Sequence, residues 1–244
     1  MKTPALVMDL GMNNGDDTAY YLAKGFAVVA LEANGDLVAA CRQRFADHIE
    51  AGRLTIVEAA IYSSEGEVTF LVNAANDHWS SIEPGWAGRE DTATRPVTVP
   101  AVTLDTLFQR HGVPHYLKID VEGVDGIVLD QLAEAPEKPT YVSVEDCRFG
   151  FDYVETLSRA GYERFKLLDQ SSVPTLVDPA ISHRFPAGSS GPFGEDVPGE
   201  WLERQDFVEL YATTVRDRAG NRLAPRTRWW DIHASTARGT HGPR

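Results

Sequence analysis

No run in the 244 residues is apolar for long enough to cross a bilayer. The first residues carry neither a basic stretch nor a long apolar one ahead of the first predicted strand. Both absences predict a soluble, unexported chain with the cytoplasm as its compartment. Cysteine is scarce as well. Cys41 and Cys147 stand far apart without the spacing of a metal-ligand pair, so they read as buried free thiols in a reducing compartment. Basic charge is in deficit: 23 lysines and arginines against 36 acids leave a net charge of −13, which disfavours nucleic acid and anionic membrane as partners. The balance reverses only from Arg216 onward, where seven arginines face two aspartates, and residues 234–244 are expected to form a flexible tail. Also missing is the Gly-x-Gly-x-x-Gly turn that cradles a dinucleotide pyrophosphate, and no internal repeat is visible.

What is present begins at once. An apolar run from Ala5 to Met8 ends in Asp9, turns through Gly11 and Gly15, and enters a segment of helical spacing. Gly11 lets the chain leave the strand in a conformation that a side chain resists. Gly15 lets backbone approach a ligand or the sheet, and Asn13 and Asn14 line the rim. A carboxylate at the strand end, followed by Asp16 and Asp17, repels a pyrophosphate but suits a cationic amino group such as that of S-adenosylmethionine. The run Ala27 to Leu31 ends in Glu32, 23 residues after Asp9, placed to take both ribose hydroxyls of an adenosine.

Length and a hydrophobic content of 43% predict one α/β domain over residues 1–233, with irregular insertions near 73–95 and 171–199. Asp16 or Asp17 is expected to cap a first helix that stops at Gly25. Leu37, Cys41, Phe45 and Ile49 recur at spacing four and predict a second helix ending at Gly52. Leu54 to Val57 reads as a third strand, with Glu67 to Val72 returning on it as a hairpin. In the first insertion Trp79 and Trp86 predict a loop that packs, as part of a binding-site wall. Thr103 is a good N-cap for a short helix before the strand Tyr116 to Asp120, in which alternation puts Lys118 and Asp120 on one side, with Glu122 next in the same alternation. Strand five, Tyr141 to Val144, leads into Glu145 and Asp146. Asp9, Glu32, Asp120 and Glu145 are therefore expected to gather beyond the carboxyl ends of a parallel sheet. The second insertion reads as a surface lid over the ligand mouth, Trp201 to Val215 as a late helix, and Arg228 to His233 as the closing strand.

Three tracts, Asp9-Leu-Gly-Met-Asn-Asn-Gly15, Val29-Ala-Leu-Glu32 and Val102 to Leu107 with Tyr116-Leu-Lys-Ile-Asp-Val-Glu-Gly123, resemble the FkbM family of S-adenosylmethionine-dependent methyltransferases. The resemblance implies a Rossmann-like class I methyltransferase fold: α/β, doubly wound, with a mostly parallel seven-stranded sheet and an antiparallel last strand. It also implies methylation of a hydroxyl on a sugar or secondary metabolite, with a small hydroxylated acceptor as partner. Carried onto this chain, Asp9, Gly11, Asn13, Asn14 and Gly15 shape the methionine pocket, Glu32 holds the ribose, and Ala60 and Ile61 border the adenine. Asp120 stands nearest the reaction as base or acceptor-orienting carboxylate, with Lys118 and Glu145 as supporting charges. His78 and His183 are loop candidates for a general base. Mg²⁺ on Asp120, Glu145 and Asp146 is compatible with these residues, though no ligand motif demands it. A nicotinamide-dependent oxidoreductase and a non-catalytic S-adenosylmethionine-binding module are the alternatives, and association with further copies of the chain stays open.

Overall fold

Apolar runs that end in acids become the central strands of a computed structural model, which describes residues 4–237. The first half alternates β1 (Leu6–Leu10), α1 (Asp16–Ala23), β2 (Ala27–Glu32), α2 (Gly35–Arg44), α3 (Ala46–Glu50) and β3 (Leu54–Glu58). These strands pair in parallel, β1 with β2 and β2 with β3. After β4 (Ala60–Ile61), β5 (Gly66–Asn73), α4 (Pro84–Ala87), β6 (Thr94–Val102) and α5 (Leu104–His111), the chain re-enters the sheet as β7 (Tyr116–Ile119), which lies on the other side of β1. There follow α6 (Asp125–Glu134), β8 (Tyr141–Glu145), α7 (Gly150–Arg159), β9 (Arg164–Asp169), β10 (Val177–Asp178), β11 (His183–Arg184), β12 (Leu202–Glu203), α8 (Arg204–Thr214) and β13 (Trp230–Ser235).

The main sheet runs β12-β9-β13-β8-β7-β1-β2-β3, with β13 antiparallel to both neighbours. This is the expected doubly wound sheet with its antiparallel last strand, extended by the two-residue edge strand β12. Strand order reverses between β1 and β7, so the crevice outside their carboxyl ends is where such a sheet takes a ligand. On one face, Leu117, Ile119 and Val144 pack under α5, α6, α7 and α8. On the other, Val7, Val28 and Tyr116 pack under α1 and α2. Both cysteines are buried and free, and no helix among the described residues is long and apolar enough to cross a membrane.

Several expectations change. The second helix breaks at Phe45 (φ −113°), and its buried stripe is Val38, Cys41 and Phe45, while Ile49 is exposed. Neither Asp16 nor Asp17 caps α1: Gly15 holds the cap position, and the Asn14 side chain accepts from the Asp16 N–H. The strand after β4 does not return on β3. It pairs antiparallel with β6, which also takes β4, making a separate three-stranded sheet. Trp201 precedes α8 rather than joining it. Ala234 and Ser235, expected in the tail, are buried residues of β13, and residues 238–244 lie outside the described residues.

The largest difference concerns 171–199, expected as a surface lid. Val173, Phe185, Phe193 and Val197 are buried against the sheet face beside α1: Phe193 stacks on Tyr116 at 4.1 Å, and Phe185 meets Tyr20 edge-on at 4.7 Å. Lys24 pins the segment through Asp178 and Asp196, and the Ser190 N–H donates to the Asp17 carboxylate. The segment covers sheet face where a helix would otherwise lie. A few well-spaced aromatics supply enough apolar area for this without helical periodicity.

Candidate active site

Two adjoining cavities open at the carboxyl ends of β1, β2, β7 and β8. The first is lined by Gly11, Asn13 and Glu32 together with Ala60, Ile61 and Phe70. Glu32, 7% exposed at the tip of β2, accepts the Asn34 N–H on Oε1 and the Asn13 N–H on Oε2, each at 2.8 Å. A carboxylate has about four acceptor positions, so room remains for a further donor. Burial raises the Glu32 pKa above its ordinary value. Gly11 is required here: at φ +85° an added Cβ would fall 1.8 Å from the Asp120 carbonyl oxygen.

Other residues of the opening motif do not reach this cavity. Gly15 (φ +82°) lies against Phe45, whose ring stands 2.5 Å from where a Cβ would be, so its closeness serves helix packing rather than a ligand. Asn14 is exposed and spends its side chain on Asp16. Asp9 is fully buried, accepting from Thr18 Oγ1 at 2.7 Å and Lys118 Nζ at 3.3 Å.

Lys118 also lies beneath the floor rather than in it. Its Nζ stands 3.3 Å from Asp120, 3.5 Å from Asp17 and 3.1 Å from the Gly11 carbonyl oxygen. Burial works against its charge, but Asp9, Asp120 and Asp17 outweigh it and hold the pKa well above the ordinary lysine value. The ammonium thereby fixes Asp120 from below.

The second cavity shares Asp120, Glu122 and His78 with the first and adds Glu145, Gln170 and Asp231, and Gly188, Ser189 and Ser190 of the segment expected as a lid also border it. Oxygens of Asp120, Glu122 and Glu145 lie within 4.8 Å of one another. Asp125 shapes this floor by accepting the Val121 and Gly123 N–H groups, which bends the chain so that Glu122 adopts φ +52°. Such a backbone is costly for a non-glycine residue and persists only when its surroundings over-determine it. Ser81 Oγ donates to the Glu122 carbonyl, and Arg89 pairs with the Glu122 carboxylate at 2.6 Å. The two tryptophans of the first insertion grip that arginine, with its guanidinium 4.9 Å from the Trp79 ring and 5.3 Å from the Trp86 ring. Burial, reinforced by Asp120 against the opposing Arg89, pushes Glu122 up to about 8. Burial and then the neighbouring acids raise Glu145 and Asp231 well above the carboxylate range.

Asp146 does not join these acids. It turns away to accept from Tyr211 Oη at 2.6 Å and to pair with Arg216 at 3.0 Å, a buried structural pair. His183 packs between Tyr20 and Phe185, outside both cavities.

The methyltransferase FkbM domain matches residues 9–164, more than half of the chain. The chain belongs to the FkbM methyltransferase family. It is an S-adenosylmethionine-dependent methyltransferase, which sets aside both the oxidoreductase and the non-catalytic module. No curated protein matches it. Among solved structures, this FkbM methyltransferase is similar to precorrin-6y C5,15-methyltransferase from Geobacter metallireducens: 12% identity, 97% of this chain and 82% of that one covered, TM-score 0.43. The C-terminal domain of precorrin-6Y C5,15-methyltransferase from Rhodobacter capsulatus matches at 11% identity over 96% and 82% of the chains, TM-score 0.44. The 1,6-didemethyltoxoflavin-N1-methyltransferase from Burkholderia thailandensis, solved with S-adenosylhomocysteine, matches at 13% over 96% and 72%, TM-score 0.39.

The first cavity fits the family's cofactor. Glu32 has acceptor positions for a ribose diol, and the apolar wall of Ala60, Ile61 and Phe70 suits a planar base. Residues that sequence reasoning did not place in this methyltransferase's site are Arg89, Gln170 and Asp231, while Glu122 was seen only as facing the same side as Asp120. An acid in the aromatic run Trp229-Trp230-Asp231 was the available signal for the last. Its register partner, Glu145 across an antiparallel pair, was not readable from sequence.

Proposed function

We propose that this methyltransferase acts on a hydroxyl oxygen of a sugar or secondary metabolite bound in the second cavity. The observation that carries this reading is the shared edge: Asp120 and Glu122 line both cavities, so a cofactor in one and an acceptor in the other meet over carboxylates. S-adenosylmethionine, when bound, supplies an electrophilic methyl group on a sulfonium. The protein's own work is then binding, orientation and proton removal. Glu32 takes the ribose hydroxyls, Gly11 and Asn13 border the methionine portion, and Ala60 and Ile61 border the adenine. Asp9, Asn14 and Gly15 act on that pocket only indirectly, by holding the turn. Asp120, fixed by Lys118, orients the acceptor.

Asp231 receives its proton, with Glu145 beside it as a supporting charge. Among the described residues neither carboxylate has a cationic or hydrogen-bonding side-chain partner, and their raised pKa values make them stronger bases than an ordinary carboxylate. The tryptophan faces of Trp79 and Trp229 with the polar Asn76 and Arg226 around the same cavity suit a polyhydroxylated ring. The test is S-adenosylhomocysteine release from purified protein with a panel of glycosides and polyketide alcohols beside matched amines and thiols. Turnover confined to alcohols, with mass gain on oxygen, supports the reading. Turnover with the amines or thiols alone contradicts it.

A further inference from the structure

We propose that Asp120, Glu122 and Glu145 form a binding site for a hard divalent cation of the Mg²⁺ class where the two cavities meet. The three side chains come from the end of β7, the left-handed turn after it, and the end of β8, and each presents an oxygen within 4.8 Å of the other two. An all-oxygen donor set of this kind selects Mg²⁺, Mn²⁺ or Ca²⁺ over softer ions. Local cations do not balance the acids. Arg89 answers Glu122 and Lys118 is shared among three aspartates, whereas Glu145 has no ion pair among the described residues.

A second observation, independent of acid clustering, points to a ligand in the same place. Gln170 is 4% exposed and lines the second cavity; its Nε2 is fixed on the Ser190 carbonyl at 3.1 Å, while its buried Oε1 has no partner. A neutral amide oxygen left unpaired in a buried site costs free energy unless something in the cavity donates to it. Asp231, 5% exposed in the same wall, likewise has no donor on its carboxylate among the described residues. Mg²⁺-class ions retain several bound waters, and these are the donors that both groups lack. The proposal rests on the hydroxyl-transfer reading for its use. A cation at this position lowers the pKa of an acceptor hydroxyl and engages Glu145, leaving Asp231 to take the proton.

Mn²⁺, followed by loss of its free-ion electron paramagnetic resonance signal, is the probe, titrated into the full chain beside a calorimetric titration of S-adenosylhomocysteine. One Mn²⁺ per chain is expected, displaced by Mg²⁺. Affinity should fall by about tenfold or more in Glu145→Gln while that variant binds S-adenosylhomocysteine as the wild type does. If Glu145→Gln does not fold, Glu122→Gln, which also borders the cofactor cavity, is read for the same fall in Mn²⁺ affinity alone. A chain that binds S-adenosylhomocysteine but shows no saturable Mn²⁺ binding, or Mn²⁺ binding unchanged in these variants, overturns the proposal. Because no methyl transfer is measured, that failure is separate from failure of the hydroxyl reading.

Discussion

Lys118 carries the electrostatics of the site although no ligand can touch it. Parallel pairing of β1 with β7 sets it beside Asp9, and its ammonium then answers Asp9, Asp17 and Asp120 together. Removing one member of a buried ionic cluster costs more than the cluster is worth, because the remaining charges stay buried and unpaired. Lys118→Met is therefore expected to lower stability by about 3–5 kcal/mol in urea denaturation at neutral pH. A loss below about 1 kcal/mol would show that these aspartates are protonated in the folded protein and need no counter-ion. Strand alternation was enough to put Lys118 and Asp120 on one side from sequence. That Asp9 is the lysine's partner depends on which strands are adjacent, and local pattern does not carry that information. Asp231 was hidden for the same reason, since only the β13–β8 register brings it to Glu145.

Elements with their own periodicity were legible, and those that depend on distant partners were not. The strand tips at Glu32 and Glu145 and the Thr103 cap follow from local rules, and Thr103 does accept the Thr106 N–H. β5 found its partner in β6, across a 20-residue excursion, where sequence suggested β3. The segment 171–199 lacks any periodicity, yet Phe185, Phe193 and Val197 are each under 9% exposed and build one layer of the core. If the segment is a structural layer, Phe193→Ala costs about 3–5 kcal/mol, the range for truncating a buried aromatic. Equilibrium unfolding measures this directly. A cost near zero, with altered KM for the acceptor, would restore the lid that its composition first suggested.

Across the whole molecule, a row of polar residues crosses the sheet in register: Asp9, Lys118, Ser143, His233 and Lys166. His233 sits in that row 1% exposed, with its Nε2 unpartnered, and burial followed by the Lys166 charge pushes its pKa down to about 3. The folded value lies below the unfolded one of about 6.5, so the unfolded state binds the proton more readily. The stability held above pH 6.5 is thus lost as pH falls toward 3, at about 1.4 kcal/mol per pH unit. The raised acids of the second cavity act in the opposite direction, so the difference between wild type and His233→Asn isolates the histidine. That difference should shrink steadily from pH 6.5 to 4; a constant difference would mean that His233 is already charged in the fold. The same sheet organises the two cavities, and the first of them is the one assigned to the cofactor. Calorimetry with S-adenosylhomocysteine and with NAD tests this most directly. The expected result is one S-adenosylhomocysteine bound per chain and no NAD, with affinity lowered about 10- to 100-fold by Glu32→Ala through the loss of charged hydrogen bonds, and little changed by Asp120→Asn. Binding of NAD, or equal loss of binding in both variants, would contradict the assignment of the cavities.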